Sequence, residues 1–350
     1  MSTLTTCLQC GEGPFSSRNA LYRHLRCHSS SDDNHNNVAE ALSSLVMDSP
    51  DIWISRPENV EKDLCIWATG GRVRSRTLGS TECYSFRSNQ WVMGEYLADN
   101  RGSHGCASVS GTVFVIGGGG FKTNLATCER FDSATGKWVQ IRAMTSFRHA
   151  LAVVAVERTR SIWAIGGWAD GSRCCADVER YDVDTDSWQT CAPLLLARRL
   201  LAACSVEGQG ILVFGGQIQN GAGGKSEAWF TSAAEKLSDS DSSWLRIKDV
   251  PGVGGPMSAV GVGPFAFVFV HGRCVYRYDP LKDEYKQLSD LPLKEWFCFD
   301  VCSRGTKVFL VGGKETGRFS KAAFSYCALS DAWARLPDMN KQRRRCGVSI

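Results

Sequence analysis

From residue 64 onward the chain is punctuated by six short apolar runs, each ending in a pair of glycines or a near match: "CIWATGG", "TVFVIGG", "SIWAIGG", "ILVFGG", "AFVFVHG" and "KVFLVGG". The doublets begin at Gly70, Gly117, Gly166, Gly215, His271 and Gly312, so successive starts lie 41 to 56 residues apart. Short apolar runs bounded by glycine read as strands, and a period in this range is the mark of a repeat array. Downstream of each doublet stands an aromatic or large apolar residue, followed seven positions later by another aromatic. The pairs are Tyr84 and Trp91, Phe131 and Trp138, Tyr181 and Trp188, Leu237 and Trp244, Tyr278 and Tyr285, Tyr326 and Trp333. Turn-formers such as "DSATGK" and "DVDTDS" lie between them, which predicts a two-strand hairpin in each repeat. A further apolar stretch precedes five of the six runs: "HGCASV", "LAVVAV", "LAACSV", "MSAVGV" and "FCFDVC". Before "LCIWATGG" there is only "DIWISRPENVEKD", polar and interrupted by Pro57.

On these motifs, residues 64 to 350 resemble a kelch-repeat β-propeller. The segments "CERFDSATGKW", "VERYDVDTDSW" and "RLPDMNKQRRRCGVSI" are most similar to the propellers of kelch-like substrate adaptors. The resemblance implies blades of four antiparallel strands, A innermost to D outermost, with strand B ending in the doublet. The missing first A strand is then expected from the C-terminal "CGVSI", which closes the ring and removes an unpaired edge. The expected fold class is all-β: a six-bladed kelch β-propeller closed by the C-terminal strand and preceded by a small ββα zinc finger. The finger is placed at 5–30, a flexible linker at 31–60 and the propeller at 61–350. The fifth repeat departs from the pattern, with His271 for the first glycine and Tyr285 for tryptophan.

The N-terminal segment "CLQCGEGPFSSRNALYRHLRCH" carries its own chemistry. Cys7 and Cys10, then His24 and His28 on one face of a predicted helix, supply the two sulfurs and two nitrogens of a tetrahedral zinc site, so zinc is the expected cofactor. The stretch resembles the zinc-finger family, whose small core maps onto Phe15 and Leu21, but thirteen residues rather than twelve separate Cys10 from His24. The positions that face bases in that family fall on Ser17, Ala20 and Arg23. Only one of these is a strong base reader, and a lone finger covers about three base pairs, so a protein-binding or structural finger is the preferred reading.

Composition narrows the picture further. The 350 residues are 43% hydrophobic and 22% charged, which excludes global disorder, and no run approaches the roughly 18 apolar residues of a bilayer span. Sixteen cysteines sit mostly within strand-like runs, so reduced, buried thiols and a cytoplasmic or nuclear protein without a membrane partner are expected. The net charge of +4 names no partner, but its distribution is informative. The B–C and D–A loops, which alternate strand direction places on one face, collect basic residues, whereas the C–D turns on the other face are acidic. Arg101, Arg148, Arg198 and Arg343 each stand four residues before the Gly or Ala of strand A and are expected around the mouth of the central channel. With Arg72, Arg173, Arg273, Arg318 and Trp229 they form the expected partner-binding set. The expected function is a non-enzymatic protein-interaction module whose basic face binds an acidic segment of a client protein. The resemblance implies work as a substrate receptor or scaffold in ubiquitin ligation, with a ubiquitin-ligase subunit as partner, although the stretch before the first blade is too short for the cullin-binding domain of those adaptors. Two alternatives stay open: a nucleic-acid-associated protein using finger and basic face together, and a kelch-type sugar-processing enzyme. Against catalysis, the propeller loops hold no Asp, Glu and His cluster at ligand spacing, and His104, His149 and His271 read as structural.

Overall fold

The computed structural model describes residues 65–119, 124–169, 173–219, 228–238, 243–252 and 254–350. The expected zinc finger with Cys7, Cys10, His24 and His28, and the linker at 31–60, lie outside the described residues. What is described is all-β apart from one 3-10 turn at Glu157–Thr159, and its main elements are six antiparallel four-stranded sheets.

Five of the sheets are built from consecutive strands, A to D in chain order. In the third, for example, Ala152–Val156 pairs with Ser161–Ile165, then Val178–Asp182, then Ser187–Cys191. The first sheet differs. Its A strand is Gly347–Ser349 from the chain's end, antiparallel to Cys65–Thr69 with Trp67 opposite Ser349 and Ala68 opposite Val348. The A strands pack against one another in a cyclic succession: Gly347–Ser349 touches Gly105–Val109, and the series returns to it through Asp300–Arg304. The B strands are covered on both sides by neighbouring sheets, and all five residues of Gly210–Phe214 are buried. The D strands are mostly exposed, as in Ser187–Cys191, where only Trp188 and Cys191 are half-buried, because only one face of the outermost strand meets a neighbour. None of the thirteen cysteines among the described residues forms a disulfide, and they are seated in or beside these strands.

Close backbone approach requires the doublets. A Cβ on Gly117, which has φ 60°, would lie 2.8 Å from the carbonyl oxygen of Arg148, and its neighbour Gly118 adopts φ 104°. The aromatic pairs fasten sheet to sheet. Tyr84 stands opposite Trp91 and Tyr181 opposite Trp188 across strands C and D. The indole N–H of Trp188 then donates to the carbonyl of Arg142 in the preceding sheet at 2.8 Å, and that of Trp91 to Pro337 at 2.8 Å.

The acidic C–D turns are also partly fasteners. Asp186, at φ 48°, accepts from the Tyr181 hydroxyl at 2.7 Å and from the Arg142 backbone N–H at 2.9 Å, and Asp283 and Asp331 repeat the arrangement with Tyr278 and Tyr326. These hydrogen bonds hold the Asp186 and Asp331 carboxyls below the usual range against the opposing effect of desolvation. The acidity of this face is therefore in part a by-product of joining the sheets.

Candidate anion-binding face

The loop from strand D of one sheet to strand A of the next has three positions that decide its chemistry. The first holds Arg101, Arg148, Arg198 and Arg343, the residues expected to face a ligand. The structure corrects that placement: all four are 0% exposed. The terminal Nη2 of each donates to a glutamate on strand C of the sheet it leads into: Arg101 to Glu129 at 2.7 Å, Arg148 to Glu179 at 2.6 Å, Arg198 to Glu235 at 2.7 Å and Arg343 to Glu82 at 2.6 Å. Nη1 donates to the carbonyl of the first doublet glycine, as from Arg101 to Gly117 at 2.8 Å and from Arg343 to Gly70 at 2.8 Å. Each glutamate in turn accepts a backbone N–H at the end of the preceding sheet: Ala98 on Glu129, Thr145 on Glu179, Leu195 on Glu235 and Asn340 on Glu82. Burial pulls Arg198 down to about 10, which leaves it charged at neutral pH. A guanidinium needs such a partner once it is removed from water, and these four are structural clamps between adjacent sheets.

The sixth sheet shows what replaces the clamp. Trp296 takes the arginine's place, fully buried, with Phe324 at the glutamate's position and ring centroids 5.5 Å apart. The Trp296 indole N–H donates to the Gly312 carbonyl at 2.7 Å, the same doublet carbonyl that an arginine would reach. In the fifth sheet Val275 stands where the glutamate would be, and Val253, at the arginine position, lies outside the described residues.

The third loop position holds Ser103, Ala150, Leu200, Cys298 and Arg345, all at φ between 50° and 58°. Their main chains join hands around the channel. Leu200 N–H donates to Ala150, Ala150 to Ser103, Ser103 to Arg345 and Arg345 to Cys298, at 2.7 to 2.9 Å. This backbone arc rims the space between the A strands, which is lined by Cys106, Val153, Ala203, Ser258 and Asp300 among others.

Side chains from the second and third positions, with Arg72 from the first B–C hairpin, form the charged part of the rim. Arg72 and Arg344 exchange backbone hydrogen bonds at 2.9 and 3.2 Å, and the Arg72 guanidinium reaches across Gly102 and Gly119 toward His149. Arg199 lies over the Trp168 ring at 3.8 Å and donates through Nε to the Gln217 side-chain oxygen at 2.9 Å. Arg344 lies 5.4 Å from the Phe319 centroid. Burial first, then repulsion from Arg345 and Arg344, lowers Arg72, and burial is likewise the larger cause at Arg199, with Arg345 opposing its charge. Burial and the charges of Arg72, Arg199 and Arg345 push His149 down to about 4, so it is neutral, with Nδ1 donating to Asn124 Oδ1 at 2.6 Å. Among the described residues, none of Arg72, Arg199, Arg344 and Arg345 has a carboxylate partner. Arg72, Arg199 and Arg345 all act on His149, and Arg344 and Arg345 on Arg72, so these half-buried guanidiniums stand close enough to repel one another.

Of the other residues in the expected set, Arg72 is half-buried in the first B–C hairpin, while Arg173, Arg273, Arg318 and Trp229 are exposed on or beside the B–C hairpins, Trp229 being 41% exposed. His104 and His271 are packed inside, bonded to Thr69 and Ser258 at 2.9 and 3.0 Å, and burial pushes both down to about 3. No group of three or more His, Cys, Asp or Glu side chains fit to hold a metal occurs among the described residues.

The missed signal was in the sequence. Glutamate recurs as the second residue of strand C in "TECYS", "CERFD", "VERYD" and "AEKL", in the same four repeats that carry the loop arginine. Arginines with a glutamate counterpart are structural, and the basic residues beside them, Arg199, Arg344 and Arg345, have none.

Comparison with known proteins agrees with this architecture. The Kelch motif matches residues 100–145 and 152–195. The chain is similar to Kelch-like protein 26 of Danio rerio, 32% identical over 155 residues, covering 43% of this chain and 25% of that protein. It is similar to Kelch-like protein 35 of Mus musculus, 26% identical over 249 residues, covering 70% and 41%, and to Kelch-like protein 25 of Xenopus tropicalis, 25% identical over 244 residues, covering 65% and 39%. The chain spans a quarter to about two fifths of the length of these relatives. Two matched motifs and these relatives support a kelch-repeat protein.

Proposed function

We propose that the chain is a non-enzymatic protein-interaction module whose basic face binds an acidic segment of a client protein, as a substrate receptor or scaffold in ubiquitin ligation. In this reading the six sheets are the blades of a propeller, closed by the C-terminal strand Gly347–Ser349, and the loops at the start of the A strands form the docking face. The observation that carries the reading is the set of four guanidiniums at the channel rim without carboxylate partners among the described residues. Such a set attracts anions over several ångströms and binds carboxylates through paired N–H donors. The resemblance to kelch-like adaptors supports the ligase role. The thiol and imidazole donors of Cys7, Cys10, His24 and His28 suit zinc, which would order a finger able to recruit a second protein.

The test is affinity purification of the full chain beside an Arg72→Ala, Arg345→Ala variant. Proteins captured by the parent and lost by the variant, with melting unchanged, are the expected result. Unchanged capture would reject the rim as the client site, and loss of nuclease-sensitive material instead of protein would favour a nucleic-acid partner.

A further inference from the structure

The rim differs from the clamps in one respect that bears on its ligand. Where this fold buries an arginine, it places a glutamate within 2.7 Å, four times over. At the rim it instead gathers Arg72, Arg199, Arg344 and Arg345 at half-buried positions and leaves their repulsion standing. Two are oriented without any anion, Arg199 by Trp168 and Gln217 and Arg344 by Phe319, so the forks are preset rather than free to swing toward solvent. The Nε atoms of Arg72, Arg344 and Arg345 are buried without a hydrogen-bond partner, as are those of the four clamp arginines, so what sets the rim apart is the missing carboxylate and not the Nε. A carboxylate brings one negative charge and two oxygens, enough for one fork. A phosphomonoester brings nearly two charges and three acceptor oxygens at neutral pH, arranged so that several guanidiniums can share it.

We propose that the rim is a phosphoryl-recognition site, selecting a phosphorylated serine or threonine of a client segment over an unmodified acidic side chain. Exposed Phe147, at 52%, adjoins the same loop through Arg148 and offers apolar contact to the residues flanking the phosphate. A protein segment is favoured over a free polyphosphate because exposed Phe147 and Phe297, in the loops that lead into the A strands, give apolar surface that a fully charged small molecule cannot use.

The inference rests on the proposed client-binding reading, and the experiment separates the two. Full-length protein is titrated calorimetrically with three versions of one acidic peptide carrying Ser, Glu or phosphoserine at its centre, and with inositol hexakisphosphate. The phosphoserine peptide should bind at least about tenfold more tightly than the Glu peptide, and Arg72→Gln, Arg345→Gln should remove that preference while leaving the melting temperature unchanged. Equal affinity for the Glu and phosphoserine peptides, both weakened by the variant, would overturn phosphoryl selection and leave the acidic-client reading in place. Binding of the inositol phosphate without the phosphopeptide would overturn the protein-segment assignment. No peptide binding, or binding indifferent to the two arginines, would overturn both readings.

Discussion

Removing one carboxylate from a clamp should unfold the ring more readily than any change at the rim, and Glu179→Ala is the sharpest case. Glu179 is 2% exposed and accepts from Arg148 Nη2 at 2.6 Å, from the Thr145 N–H at 2.8 Å and hydroxyl at 2.7 Å, and from Ser146 Oγ at 3.1 Å. Truncation leaves Arg148, fully buried, with no opposing charge, and strands the Thr145 amide at the seam between two sheets. Breaking a buried pair from one side costs about 3 to 5 kcal/mol, which for a domain of this size lowers the melting temperature by on the order of 10 °C. Urea unfolding followed by tryptophan fluorescence, with calorimetry alongside, reads the change. The sixth sheet supplies the second arm. Arg148→Trp with Glu179→Phe copies Trp296 and Phe324, and the indole N–H can take over the donation to the Gly166 carbonyl that Arg148 now makes at 3.2 Å. The double variant should recover a coupling of about 2 kcal/mol or more relative to the sum of its single changes. If Glu179→Ala unfolds within about 1 kcal/mol of the parent, or the two single changes simply add, the clamp reasoning is wrong.

Three further outcomes are expected. Deleting residues 343–350 removes the first sheet's A strand and the Arg343 clamp to Glu82, and should abolish cooperative melting; a truncated protein that melts within about 2 °C of the parent would contradict closure by this strand. Asp300 lines the channel and accepts the Val348 N–H at 3.0 Å, and burial raises its carboxyl to about 7. Because its folded value lies above the unfolded one, its contribution is lost as pH rises from about 4 through 7, so Asp300→Asn should gain melting temperature relative to the parent between pH 5 and pH 8, whereas a gap that does not change with pH counts against this. Native mass spectrometry should find one zinc per chain, lost in Cys7→Ser, His24→Ala with the melting of 61–350 unchanged; zinc-free protein after metal-replete expression would remove the finger.

The repeating strand pattern was legible because it is local. A run such as "ILVFGG" states its burial and its turn within a few residues, and the seven-residue spacing of Tyr181 and Trp188 states that they face each other across a hairpin. The need for a borrowed A strand could also be read, since only the polar, proline-interrupted "DIWISRPENVEKD" precedes "LCIWATGG" and an unpaired "CGVSI" remains at the other end. The role of each arginine could not be read from its own loop. Arg148 and His149 are adjacent in sequence, yet one enters the seam beside Glu179, thirty-one residues away, and the other turns to the rim. Asp186 likewise reads as one more surface acid in a turn, until the neighbouring sheet brings the Arg142 N–H to it. The sequence determined where strands, turns and charges fall because backbone preference and hydrophobic period act over a few residues. Only the packing of one sheet on the next decided which charges lose their water and must be paired, because desolvation depends on every atom around a group and not on its place in the chain.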